Sequence, residues 1–499
     1  MSAAADGEKI MAMPGPLPFN LKVAFGVGQA AEGLKNGAFG TFLLFYYNQV
    51  LGLPGTLAGI AVGTALIIDA FTDPLAGSIS DHWQSRYGRR HPFMYASIVP
   101  LAVTFYFLFH PLVSTEFGLF LWLIAFSNLS RTAMTLYHVP HLALGAEITD
   151  DFAERSSVVG FRQFFATFGG LASTVIGFWI FFVPTAEFRN GQLNEGAYAP
   201  FALTLAVLMS ITIFWSAYGT RAVIPYLPKA PPQAPISVWG ILRRTLTDIG
   251  AAMRCGSFRW LFGGVLIVYV MVGVDGALNI YIYTYFWEFS HNEIVALAPA
   301  YPIGVLLGAL FAPKLLGRFG KRFGVMFGTS SWAAWQIIPI VARFLGWFPE
   351  NGDPILVPLL VAIRVIQGAS TVQANVAFGS MVADTVDEHE LNTGKRQEGI
   401  FFAASSFAAK AASGMGNIIA GFALDLISWP RGTQVKTAAD VPSDAIVELG
   451  MLYGPYVAGC GFISVWCYTR YRLTRERHAE ILAELYARRG GTPSLKIAG

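Results

Sequence analysis

Apolar runs of about 20 residues recur along the whole chain, broken by short polar turns, and each is long enough to cross a hydrocarbon core about 30 Å thick. No water reaches the inside of a bilayer, so each run must satisfy its backbone hydrogen bonds within itself, and that makes it a helix. The sequence predicts an all-α membrane protein of twelve spans, near 21–50, 56–81, 92–113, 117–146, 158–184, 200–220, 258–288, 292–316, 324–347, 354–384, 398–427 and 447–470. Charged residues are 13% of the 499-residue chain, against about 25% in soluble proteins. A net charge of +3 suggests no nucleic-acid partner, and three cysteines (Cys255, Cys460, Cys467) make neither a pairing framework nor a metal cluster.

Orientation follows from the basic residues, because cytoplasmic loops retain lysine and arginine. Only Arg189, Arg343, Arg431 and Lys436 fall on the far side of this span assignment. Both termini are therefore expected in the cytoplasm, and the start MSAAADGEKIMAMPGPLPFN lacks the basic and apolar regions of a cleaved signal. The Pro-rich IPYLPKAPPQAP cannot be helical throughout, while SVWGILRRTLTDIGAAM suits an amphipathic surface helix. The expected domains are a six-helix half at 1–220, a cytoplasmic linker at 221–257, a second six-helix half at 258–470 and a cytoplasmic tail at 471–499. That tail interleaves arginines with leucines and reads as a solvated or membrane-surface helix.

An ungapped internal repeat supports the division into halves. GAEITDDFAERSSVVGFRQ from Gly145 aligns with GSMVADTVDEHELNTGKRQ from Gly379, pairing Asp150 with Asp384, Glu154 with Glu388 and Arg162 with Arg396. Arg162 is expected to close the cytoplasmic end by pairing with Asp150 or Glu154. Asp81 sits where a helix ends, within reach of Arg89 and Arg90 in the following turn. The candidate gating set is thus Asp81, Arg89, Arg90, Asp150, Arg162, Asp384 and Arg396.

The costliest feature lies in IIDAFTDPLAGSISDHWQSRYGRRHP, residues 67–92, where Asp69 and Asp73 stand four apart and share one helix face. An ionisable group at bilayer depth costs about 2.5–3.5 kcal/mol. Two on one stripe point to a watery cavity or a bound cation, the competing reading being a structural pairing with a neighbouring helix. Further polar stripes offer candidate substrate contacts. Glu32 and Lys35 lie one turn apart in a Gly-rich span and either neutralise each other or touch a polar ligand. Arg131, Thr135 and His138 follow one face of the fourth span, and a guanidinium suits carboxylate, phosphate or hydroxyl-rich ligands. The second half offers Asp275 and Asn279, then Gln367 and Thr371, then Lys410. A lysine in an apolar helix needs a carboxylate, for which Asp69, Asp73 or Asp275 are the candidates.

DAFTDPLAGSISD followed by GRRHP, with FYYNQVLGL and SMVADTVDEHELNTGKRQEGIFFAASSFAAK, resembles the glycoside-pentoside-hexuronide:cation symporters, the melibiose-permease-like branch of the major facilitator superfamily. The resemblance implies two pseudo-symmetric six-helix halves and cation-coupled symport, with Asp69, Asp73 and Thr135 on the family's cation site and Lys410 on its helix 11 lysine. Two positions depart from the pattern: Gly33 and His138 stand where melibiose-type members have sugar-binding aspartates. Expected cargo is a sugar, glycoside or uronide with sodium or a proton, the alternative being an amphipathic anion such as a lysophospholipid. A monomer without cofactor in a bacterial inner membrane is the corresponding expectation. No H-E-x-x-H, G-x-S-x-G or phosphate-cradling loop suggests an enzyme.

Overall fold

The computed structural model describes residues 16–149, 151–227, 238–432, 435 and 437–488. The helices are α1 (Phe19–Ala38), α2 (Gly55–His82), α3 (His91–Ala96), α4 (Ile98–Leu108), α5 (Glu116–Glu147), α6 (Phe152–Ile176), α7 (Tyr198–Gly219) and α8 (Val238–Ala252). After them come α9 (Gly256–Tyr281), α10 (His291–Leu297), α11 (Ala300–Phe319), α12 (Lys321–Phe344), α13 (Leu356–Thr393), α14 (Glu398–Leu426), α15 (Ser443–Met451), α16 (Val457–Thr469) and α17 (Arg475–Arg488). There is no strand among the described residues. Eleven helical stretches are long and apolar enough to cross a membrane. The first helix, which continues through π-helical turns to Val50, is not among them because Gln29, Glu32, Lys35 and Asn36 dilute its apolar character.

The chain divides into two compact units, Met1–Ile241 with Arg431–Lys436, and Leu242–Pro430 with Thr437–Gly499. Glycine sets the helix spacing inside each. In the first, a Cβ on Gly33 would lie 2.1 Å from the Ala166 carbonyl oxygen and one on Gly169 would lie 2.3 Å from that of Ala30, so α1 and α6 touch backbone to backbone. In the second, Gly273 and Gly416 place α9 against α14 in the same way, each with its virtual Cβ 2.4 Å from a carbonyl oxygen of the other helix. Small residues are how helices approach closely where no water drives them together.

A second correspondence between the units is in the backbone. Leu51 N–H donates to the Tyr46 carbonyl at 2.9 Å and Leu53 N–H to that of Tyr47 at 2.9 Å. Trp287 and Phe289 make the equivalent bonds to Ile282 and Tyr283, at 2.9 and 2.8 Å. Both are π-helical endings in aromatic-rich sequence, a device that widens the last turn without losing its hydrogen bonds.

Two elements differ from expectation. The third span breaks at Ser97 into α3 and α4, because Pro100 has no N–H for the Ala96 carbonyl. The C-terminal helix α17 is docked rather than solvated. Ile481 and Leu485, one turn apart, are buried in a cluster with Phe258, Met381 and Phe401, and Arg488 donates to the Leu391 carbonyl at 2.7 Å. α8 joins that cluster through Ala252.

Candidate functional site

In the first unit α2 and α5 pack side by side and bring together the residues of the two polar stripes. Thr135 Oγ1 lies 2.8 Å from Asp69 Oδ1 and 3.1 Å from Asp73 Oδ1. One hydroxyl proton thus serves two carboxylates, leaving three oxygens of hard-ligand character within one another's reach. Arg131 Nη1 is 3.6 Å from Asp69 Oδ2, and its guanidinium rests over the Phe39 ring at 4.8 Å. Asp69 is buried at 6% exposure and Arg131 likewise at 6%.

One turn along α5 from Thr135, His138 Nδ1 meets Glu32 Oε2 of α1 at 2.7 Å, and the Gln29 amide bonds the same Glu32 oxygen. Glu32, Asp69 and Asp73 all act electrostatically on Arg131, so these groups make one cluster. Lys35 is buried one turn along α1 from Glu32. Counting Arg131 and Lys35 as the permanent cations, three carboxylates stand against two positive charges. One negative charge remains, and at this depth such a charge is expensive unless a cation or proton accompanies it.

The second unit holds its own polar chain. Gln336 Nε2 donates to Asp275 Oδ1 at 3.0 Å, Gln367 Nε2 to Gln336 Oε1 at 2.8 Å, and Arg364 Nη1 to Gln367 Oε1 at 3.0 Å. Arg364 also donates to the Tyr453 hydroxyl at 2.6 Å and stands 3.8 Å from Asp275. Thr371 accepts from the Tyr301 hydroxyl at 2.8 Å. Asn279 is one turn from Asp275 on α9 and takes no part in this chain. Lys410 is half-buried on α14. Asp275, one of its candidate carboxylates, has Arg364 at 3.8 Å within this unit.

Arg364, Gln336 and Tyr453 are the residues that motif reading passed over. Arg364 nonetheless shares a stripe with Gln367 and Thr371, at spacings of three and seven, and an arginine in an apolar run was the available signal.

At the helix ends, Arg90 pairs with Asp81 at 2.5 Å and with Glu147 at 2.7 Å, while Arg89 takes Glu147 at 2.7 Å. Glu147, at the end of α5, is a further member that the sequence did not single out. Asp150 lies outside the described residues. Glu154 binds Lys22 of α1 at 2.7 Å rather than Arg162, because α6 packs along α1 and brings that lysine to its first turn. In the second unit Lys321 grips Asp384 with both oxygens at 2.8 Å. Arg396 binds Asp387 at 2.9 Å, Glu390 at 3.1 Å and Glu398 at 2.5 Å, contacts that hold its guanidinium above the usual range, Glu398 most strongly.

A family model described as MFS/sugar transport protein matches residues 24–475. The chain belongs to the MFS sugar-transport family. It is a multi-pass membrane transporter and not an enzyme. An uncharacterised symporter of Synechocystis is 23% identical, over 98% of this chain and 99% of its own length. The isoprimeverose transporter of Lactiplantibacillus pentosus is 23% identical over 88% and 86%. A putative 2,3-dihydroxypropane-1-sulfonate exporter of Escherichia coli is 26% identical over 95% and 96%. Among solved structures, the inward-open xylose transporter XylE of E. coli superposes with a TM-score of 0.60 at 15% identity, covering 94% of this chain and 99% of that one. The nucleoside transporter NupG gives 0.60 at 14% identity, over 90% and 98%. These two show the fold.

For this transporter, the departure at Gly33 has a steric cause. The Ala166 carbonyl occupies the place of any side chain there, so the acid of melibiose-type members has no room. The departure at His138 is filled by a pair with Glu32.

Proposed function

We propose that this transporter is a symporter that moves a sugar, glycoside or uronide together with one sodium ion or proton, by alternating access in a bacterial inner membrane with both termini cytoplasmic. The observation that carries this reading is the Thr135 hydroxyl bridging Asp69 and Asp73 in a cluster with one negative charge in excess. A sodium ion would find three oxygen ligands there, and a proton two carboxylates. Glu32, Lys35, Arg131 and His138 supply substrate contacts from the first unit, and Asp275, Asn279, Gln367, Thr371 and Lys410 from the second. The ion pairs of Asp81, Arg89 and Arg90, and those of Asp384 and Arg396, are the cytoplasmic latches that open and close during transport, joined by Asp150 and Arg162.

Coupling demands reciprocity: bound cation raises substrate affinity by the factor by which substrate raises cation affinity. The test is uptake into proteoliposomes of a labelled panel of pentoses, hexoses, glycosides and uronides, with sodium and pH gradients imposed separately. Accumulation of at least one compound under one of the two gradients is expected. If neither gradient accumulates any of them, the proposal is wrong.

A further inference from the structure

We propose that the second unit carries a ligand pocket of its own, for a neutral molecule with a hydroxylated head and an aryl or alkyl body. A cavity of about 370 Å³ lies among α9, α11, α12, α13 and α16, and every residue lining it belongs to this one unit. That is inside the size range of small-molecule sites, about 300–1,000 Å³, and like them it joins apolar walls to a few convergent polar groups. Asp275, Tyr301, Thr329, Thr371 and Asn375 supply the polar groups, while Tyr269, Trp332, Phe378 and Tyr468 add aromatic faces to the aliphatic walls.

The charge of the ligand follows from the partners of these groups. Among the described residues of the lining Asp275 is the only carboxylate or cation, so an anionic head meets a carboxylate there. A cationic head gains little, because Arg364 at 3.8 Å and the Gln336 amide at 3.0 Å already compensate that carboxylate. A paired carboxylate still has lone pairs to offer. The Thr371 hydroxyl gives its own proton to the Gln367 carbonyl at 3.0 Å and takes that of Tyr301 at 2.8 Å, so both hydroxyl oxygens have only acceptor capacity left for a ligand. The polar end therefore wants hydrogen-bond donors without charge, which hydroxyl groups supply. The aromatic and aliphatic walls are more than a bare sugar ring can cover, and they call for an apolar substituent.

Use of the pocket as a substrate subsite rests on the transport reading above; the binding itself does not. The experiment is calorimetric titration of the full-length protein in lipid nanodiscs with methyl and phenyl glycosides of glucose, galactose and xylose, and with phenyl glucuronide. At least one phenyl glycoside should bind about tenfold or more tightly than its methyl counterpart, and phenyl glucuronide should bind more weakly than phenyl glucoside. Asp275→Asn, Thr371→Val and Trp332→Ala should each weaken that binding about tenfold. Thr371→Val is nearly isosteric and guards against a folding defect. Equal affinity for methyl and phenyl compounds, no binding by any probe, or tight binding indifferent to all three substitutions would overturn the assignment. Substitution-sensitive binding in a protein that accumulates nothing in vesicles retires the transport reading alone. Gradient-driven uptake that ignores the three substitutions retires the use of the pocket as a substrate subsite and leaves the transport reading standing.

Discussion

Asp73→Asn separates coupling from folding in this protein. The substitution keeps shape and removes one charge. Thr135 retains Asp69 as its acceptor at 2.8 Å, and Arg131 retains the same carboxylate at 3.6 Å, so the change in stability should stay within about 1 kcal/mol. The change in charge matters more. Asp69, Asp73 and Glu32 against Arg131 and Lys35 leave room for one added cation, so one charge should cross with each neutral substrate. A membrane potential of 100 mV supplies about 2.3 kcal/mol per charge. At about 1.36 kcal/mol per factor of ten, that supports roughly 50-fold accumulation. With Asp73 neutralised the cluster balances without a cation, and the accumulation ratio should fall to about one while downhill exchange of labelled substrate continues. Proteoliposomes bearing a potassium diffusion potential read both quantities. Accumulation near 50-fold by Asp73→Asn would show that this carboxylate does not carry the coupling ion.

Gly33→Ala should cost about 1–3 kcal/mol, since its Cβ must displace the Ala166 carbonyl, whereas Gly40→Ala, with open space around it, should cost nothing measurable in thermal unfolding. Arg364→Met strands the Asp275 carboxylate and should destabilise the protein by about 3–5 kcal/mol; adding Asp275→Leu should restore most of that, and a double variant as unstable as the single would refute the pairing. Cys255 lies just before α9, where burial pushes its thiol up to about 12, with Glu388 at 3.3 Å contributing in the same direction. At pH 8 its thiolate fraction should be about one in ten thousand, so iodoacetamide should label it roughly a thousandfold more slowly than a thiol of ordinary value, with the rate rising tenfold per pH unit up to about pH 12.

The cluster of Asp69, Asp73 and Thr135 was legible because its grammar is local. Asp69 and Asp73 share a face by helical spacing, as do Arg131, Thr135 and His138, and lipid makes each polar stripe conspicuous. What the sequence could not reveal is which stripe meets which. Glu32 had a lysine one turn away and reaches His138 on another helix. Arg162 is expected to pair with Asp150 or Glu154; Asp150 lies outside the described residues, and Glu154 binds Lys22, because the glycines of α1 draw α6 onto that helix. Arg364 escaped notice for the opposite reason: it carries no motif, and its importance comes from Asp275, Gln367 and Tyr453 converging from three helices. The tail was misjudged because its arginines outweigh Ile481 and Leu485 in composition, although those two, at one-turn spacing, form the stripe that docks.

That docking bears on how the protein is handled. His478 bonds Asp387 at 2.9 Å and lies 3.6 Å from Asp384, so α17 grips the same acidic corner that Lys321 and Arg396 hold. A fusion partner or truncation that cuts into 475–488 would uncover Phe258, Met381 and Phe401 and unsettle that corner. Reporter proteins and purification handles are better joined beyond Arg488, through a flexible spacer, so that expression level and transport are measured with α17 in its seat.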